Sequence, residues 1–106
     1  MNIPEITPAE FVARRERGES MTLLDVREPW ELDVASVPGV VHIPMGEVSA
    51  RLDELNRENE VVVLCRSGRR SLEVARFLQQ KGFNVVNLAG GILAWSRDVD
   101  ATIPTY

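Results

Sequence analysis

Apolar residues come in short runs along this chain, and longer segments with helical spacing lie between them. The runs are Thr22-Leu23-Leu24-Asp25-Val26, Val40-Val41-His42-Ile43, Val61-Val62-Val63-Leu64 and Asn84 to Leu88. They are brief, mostly rich in β-branched residues and bounded by turn formers, as strands are. Val61 to Leu64 shows no alternation of apolar and polar positions, which predicts a strand covered on both faces, as at the centre of a parallel sheet. Strands that alternate with helical segments predict an α/β domain whose sheet is mainly parallel.

The helical segments carry their own start and stop signals. Thr7-Pro8-Ala9-Glu10 predicts a helix start. Thr7 caps it, Pro8 suits the first helical position, and Glu10 reaches back to complete a capping box. Gly18 ends that helix. Glu28 to Ala35 reads as a short helix or loop, Pro38-Gly39 as a turn, and Pro44 as the stop of the strand before it. Glu47 to Leu55 predicts a helix with Val48, Leu52 and Leu55 on one face. Ser71 to Gln80 predicts an amphipathic helix with Leu72, Ala75 and Leu78 inward, ended by Gly82. Gly90-Gly91, read as a place of close backbone approach, opens a final short helix bearing Ile92 and Trp95. Trp30 and Trp95 read as packing residues, and Asp98 to Tyr106 has no regular pattern.

Composition narrows the classes. At 106 residues, with 44% hydrophobic and 26% charged, the expectation is a single globular domain over residues 1–106. A net charge of -4 argues against a nucleic-acid partner. There is one cysteine, so no internal disulfide is expected, which fits a reducing compartment or a thiol kept for chemistry. No apolar run has the length of a membrane span, and Met1-Asn2-Ile3-Pro4-Glu5 lacks the basic start of a signal peptide. The expectation is a soluble cytoplasmic protein without a membrane partner. One cysteine and one histidine argue against a metal site.

The chemistry gathers at the end of the central run. Cys65 follows it, then Arg66-Ser67-Gly68-Arg69-Arg70, then the helix from Ser71. In an open parallel sheet, ligand sites lie beyond the carboxyl ends of the strands. A loop entering a helix turns backbone N–H groups toward one point, and the helix start adds partial positive charge. The three arginines of the loop, with no acid before Glu73, act in the same direction. All of this favours a thiolate, so the Cys65 pKa is expected below the usual value of roughly 8.5. Gly68 supplies backbone angles that let the chain wrap the sulfur. A cysteine at a strand end is often just a small buried hydrophobe, but this loop tips the reading to a nucleophile.

Cys65-Arg66-Ser67-Gly68-Arg69-Arg70-Ser71 resembles the active-site loop of rhodanese-like domains. Asp25-Val26-Arg27-Glu28, Val37-Pro38-Gly39 with Ile43-Pro44, and Gly90-Gly91 with Trp95 resemble further blocks of that family, in its order. The resemblance runs from about the first strand to Trp95. It implies a three-layer α/β/α fold with five parallel strands in the order 3-2-4-5-1. It also implies a sulfurtransferase working by double displacement. Cys65 takes a sulfane sulfur from a donor such as thiosulfate or a persulfide. A thiophilic acceptor, cyanide or a small or protein thiol, then removes it. The N–H groups of Arg66, Ser67, Gly68, Arg69 and Arg70 are expected to hold the persulfide, with Asp25, Arg27 and Ser71 in support, and no cofactor is needed. The chain departs from the family's pattern in two places. Ala35-Ser36-Val37 stands where many relatives have Gly-His-Ile, and Ser67 where some thiosulfate enzymes have lysine. Val99 to Tyr106 resembles the end of rhodanese domains attached to enzymes that adenylate ubiquitin-like sulfur carriers, so a sulfur-carrier protein is a candidate partner.

Two other functions compete. A non-catalytic interaction module is one, although inactive relatives often lose the cysteine that this chain keeps. A cysteine phosphatase is the other, but such enzymes place five residues between Cys and Arg, and here only Arg66, Ser67, Gly68 and Arg69 separate Cys65 from Arg70. Arg66 and Arg69 divide evenly between surface charge and substrate steering, and Arg70 reads as holding the loop or an anion. Asp25 and Arg27 read as scaffold, Glu28 and Glu31 as solvated or ion-paired. His42 reads as structural and not as a base.

Overall fold

The computed structural model describes residues 2–106. The chain runs β1 (Glu5–Ile6), α1 (Pro8–Glu16), β2 (Met21–Asp25), α2 (Pro29–Val34), β3 (Val41–His42), two 3-10 turns (Met45–Ala50 and Leu52–Glu54), β4 (Glu60–Leu64), α3 (Arg69–Gln80), β5 (Val85–Leu88) and α4 (Gly91–Asp98). The five strands form one sheet in the order β1-β5-β4-β2-β3, and every pairing is parallel. Read from the other edge this is 3-2-4-5-1, the expected order. The edge strand β1 is only two residues long, and no apolar run announces it in the sequence.

Strand β4 lies at the centre because both of its faces find apolar cover. Val61, Val63 and Cys65 pack with Leu24, Val48, Leu55, Val74, Ala75 and Leu78 on one side of the sheet. Val62 and Leu64 pack with Leu23, Phe11, Leu88, Ile92 and Trp95 on the other. Successive side chains of a strand point to opposite faces, so an unbroken apolar run serves two cores. Among the described residues, no helix is long and apolar enough to cross a membrane.

Thr7 caps α1 in a complete capping box with Glu10, and the helix ends before Gly18 as expected. Three expectations are corrected. The stretch from Glu47 to Leu55 is not one helix: its i to i+3 bonds, such as Arg51 N–H to Val48 O at 3.1 Å, wind it as two 3-10 turns. The non-helical backbone of Arg51, with φ -126°, breaks them, while its guanidinium joins Glu47 and Glu54 across the break. The tighter winding still buries Val48 and Leu55. In α3, Leu72 is half-buried and Val74 takes its place inward. The helix starts at Arg69, and the buried face is Ser71, Val74, Ala75 and Leu78, the i, i+3, i+4, i+7 stripe of an amphipathic helix. Finally, Trp95 packs in the core, but Trp30 is 59% exposed. It meets Tyr106 edge-on at 6.1 Å, on the surface of α2.

Candidate active site

Cys65 stands at the carboxyl end of β4, the sheet's central strand. The loop after it turns back at once because Gly68 adopts φ 103°, a left-handed conformation open to glycine at no steric cost. That turn aims the Gly68 N–H at the Cys65 sulfur, 3.0 Å away, just where α3 begins. Ser71, on the first turn of α3, brings its hydroxyl to 3.3 Å from the sulfur. Cys65 is only 1% exposed, and burial pushes its thiol pKa up. Hydrogen bonds from the N–H groups of Ser71, Gly68 and Ser67 act against this, and the pKa lies below the ordinary value. The lowered pKa expected from sequence is present. The N–H groups responsible come from Ser67, Gly68 and Ser71, while the side chains of Arg66 and Arg69 point to the exposed surface.

The start of α4 fastens the loop from below. Ile92 N–H donates to the Cys65 carbonyl at 2.9 Å and Leu93 N–H to the Arg66 carbonyl at 3.2 Å. Gly91 lies so close that a Cβ there would sit 2.4 Å from the Cys65 carbonyl oxygen. The close approach read from Gly90-Gly91 is therefore made by Gly91 against the backbone of Cys65 and Arg66.

A charged network backs the other side of the loop. Arg70 donates both arms of its guanidinium to Glu31, at 2.6 and 2.8 Å. Glu31 also accepts from the Tyr106 hydroxyl at 2.6 Å and from the Glu28 N–H at 3.0 Å. Its carboxyl is lowered to about 2, mainly by Arg70, despite the opposing effect of burial. Arg27 and Asp25 form a fully buried pair at 2.8 Å. Asp25 also accepts the Arg27 backbone N–H at 3.0 Å, and Arg27 donates to the Tyr106 hydroxyl at 3.0 Å. A buried pair of this kind survives because its remaining lone pairs and protons are satisfied. Asp25 and Arg27 thus hold backbone and network in the folded chain. The tail, patternless in sequence, is tied down: Ile103 is buried, Ser96 Oγ donates to its carbonyl at 2.6 Å, and Tyr106 brings its carbonyl to the Arg66 guanidinium.

His42 lies with Nε2 2.7 Å from the Arg27 carbonyl, which requires a proton on that nitrogen. The histidine is committed to backbone, as its structural reading expects. Sequence reasoning missed Asn87. This fully buried residue of β5 accepts from Ser71 Oγ at 2.6 Å and donates to the Gly68 carbonyl at 3.1 Å and to Glu5 Oε2 at 2.8 Å. A single polar residue inside the run Val85-Val86-Asn87-Leu88 was its only signal.

This geometry has counterparts in known proteins. A family profile described as the rhodanese-like domain matches residues 7–98. The Bacillus subtilis protein YrkF, whose name is that of a sulfur carrier protein, is 45% identical over 96 residues; the match covers 90% of this chain and 52% of that protein. The Bacillus subtilis protein YtwF, named as a sulfurtransferase, is 40% identical over 98 residues, covering 92% of this chain and 95% of that one. The crystal structure of a rhodanese-related protein from Thermoplasma volcanium superposes with a TM-score of 0.83 at 33% identity, covering 91% of this chain and 93% of that one. The chain spans about half of the first of these relatives and nearly all of the second. Relatives with these names support a sulfurtransferase-type role. By its profile match, its sheet order and the loop around Cys65, the chain belongs to the rhodanese-like domain family.

Proposed function

We propose that the protein is a sulfurtransferase that carries a sulfane sulfur as a persulfide on Cys65. The observation that carries this reading is the Gly68 N–H held 3.0 Å from the Cys65 sulfur at the start of α3. N–H groups fixed in advance around a nucleophile stabilise charge as it develops and need no reorganisation during the reaction.

With thiosulfate as donor, the Cys65 thiolate attacks the outer sulfur, a new S–S bond forms, and the old S–S bond breaks with its electron pair leaving on sulfite. The product is a Cys65 persulfide with its negative charge on the outer atom. A nucleophile such as cyanide then attacks that atom, thiocyanate departs, and the thiolate returns. A persulfide donor and a thiol acceptor follow the same two displacements. Arg66 on the loop and Arg69 at the start of α3, both exposed, draw anionic donors, and Arg70, held by Glu31, keeps the loop in shape. No metal or organic cofactor takes part. A reducing cytoplasm suits a chain whose one cysteine must stay free. The name of YrkF supports a protein acceptor, a sulfur carrier, beside small thiols. The buried sulfur and the short loop favour transfer of one atom over transfer of a phosphoryl group, which needs three oxygens held at once.

Intact-protein mass spectrometry tests the proposal. Treatment with thiosulfate or a persulfide is expected to add the mass of one sulfur to Cys65, and cyanide to remove it. Cys65→Ser should fold and take up nothing. A folded Cys65→Ser protein that still transfers sulfur, or a wild-type protein that takes up none from any sulfane donor, overturns the reading.

A further inference from the structure

Ser71 has one hydroxyl proton and two groups that want it. Asn87 Oδ1 lies 2.6 Å from Ser71 Oγ on one side, and the Cys65 sulfur lies 3.3 Å away on the other. The orientation of the Asn87 amide decides between them. Its nitrogen faces two acceptors, the Gly68 carbonyl and the Glu5 carboxylate. A flipped amide would set its oxygen against both of them, so Oδ1 must face Ser71, and only Ser71 can supply the proton of that contact. The hydroxyl then presents a lone pair, and no proton, to the sulfur.

We infer that Asn87 is a positioning residue that holds the Ser71 proton away from the Cys65 sulfur. The inference rests on Cys65 being the nucleophile, as proposed above. In the thiol form the arrangement is complete: the S–H donates to Ser71 Oγ, and Ser71 donates to Asn87. In the thiolate form the Ser71 hydroxyl lowers the Cys65 pKa only if its proton swings to sulfur, and that strands a fully buried Asn87 oxygen without a donor. The thiolate is therefore left to the backbone N–H groups of the loop. Once a persulfide forms, the inner sulfur is neutral and the charge sits on the outer sulfur, so Ser71 keeps its bond to Asn87 without loss. Asn87 thus disfavours charge on the inner sulfur relative to the outer one. It also keeps the thiolate more basic and so more nucleophilic, since nucleophilicity falls as the thiol pKa falls.

The pH dependence of iodoacetamide alkylation reads the Cys65 pKa directly, whether or not the protein takes up sulfur, so it fails independently of the persulfide test. The charged groups around Cys65 are Arg70 on α3, Glu31 of α2 paired with it, the Asp25–Arg27 pair beside β4, Arg66 on the loop, and Glu5 on β1 behind Asn87. The variants below replace none of these side chains; Asn87→Leu removes the Asn87 hydrogen bond to Glu5, and Ser71→Ala leaves that bond intact. Asn87→Leu removes the competing acceptor. The Cys65 pKa is expected to fall by about one pH unit, and the plateau alkylation rate by about threefold. If Asn87 only held the Gly68 carbonyl, its loss would loosen the Gly68 N–H and raise the pKa, so a rise or no change overturns the inference. Ser71→Ala tests it without touching Asn87. The expected result is no rise in the Cys65 pKa, because that hydroxyl has no proton to offer the thiolate. A rise of about one pH unit would mean that Ser71 donates freely to sulfur, and Asn87 would then have no such role.

Discussion

Glu31→Gln tests the network behind the loop and has a magnitude that follows from the structure. The Glu31 carboxyl ordinarily titrates at 4.5 and is lowered to about 2 in the folded chain. A folded pKa below the unfolded one means that the stabilisation is fully present above pH 4.5 and is lost as pH falls toward 2. At roughly 1.4 kcal/mol per pH unit of displacement, the drop is equivalent to about 3 kcal/mol. Glu31 is 2% exposed, but the Arg70 side chain that carries most of the effect is 35% exposed. Solvent screening of that partner reduces the expected value to about 2 kcal/mol. Glutamine keeps the shape and removes the charge. The variant should therefore be less stable than wild type by about 2 kcal/mol at pH 7, and the gap should close as the pH falls through 4.5 toward 2. Urea unfolding at stepped pH, followed by the fluorescence of the buried Trp95, measures both curves. Their difference isolates Glu31 from the other carboxylates, whose titration is common to both proteins. A gap that stays constant with pH, or no gap at pH 7, would refute the assignment of Glu31 as the charged anchor of Arg70.

Asp25→Ala should cost about 3 to 5 kcal/mol, because it leaves the fully buried Arg27 without its counter-charge; equilibrium denaturation checks this, and a loss under 1 kcal/mol would mean that Arg27 finds water or another acceptor. Gly91→Ala should destabilise by about 2 kcal/mol or more and lower sulfur transfer with it, since the new Cβ meets the Cys65 carbonyl; wild-type stability would show that the α4 start shifts freely. His42→Gln should leave the pH–rate profile of sulfur transfer unchanged, because the histidine is bonded to the Arg27 carbonyl; a lost limb in that profile would make it a proton carrier.

Much of the fold was legible because its signals are local. The capping box at Thr7, the glycine stops and the unbroken run Val61 to Leu64 act within a few residues, and a run with no polar face can sit only where both sides are covered. The candidate site was legible for the same reason: strand, Cys65, a loop turned by Gly68 and a helix start are contiguous in sequence. The order of the strands was not written in any local pattern and came through the resemblance of several motifs in sequence order. Strand β1 has two residues and no apolar run, so pairing with β5 alone makes it a strand.

What tertiary structure decided is every contact that joins distant segments. Glu31 and Arg70 are 39 positions apart, and Tyr106 reaches Arg27 across 79. Charge patterns along the chain do not name such partners, so the sequence left Glu31 as solvated or ion-paired and the tail without a regular pattern. The inward face of α3 shifted from Leu72 to Val74 because the loop starts the helix at Arg69, a boundary set by where Gly68 must turn to reach the sulfur. Trp30 stays outside because α2 buries Glu31 instead, the side chain that Arg70 and Tyr106 both need. Sequence determines which residues are able to ionise a thiol and where the chain will turn. Packing of α3, β5 and α4 around one strand end decides which N–H groups actually meet the Cys65 sulfur, because hydrogen bonds act only at close range and only the folded chain brings those atoms together.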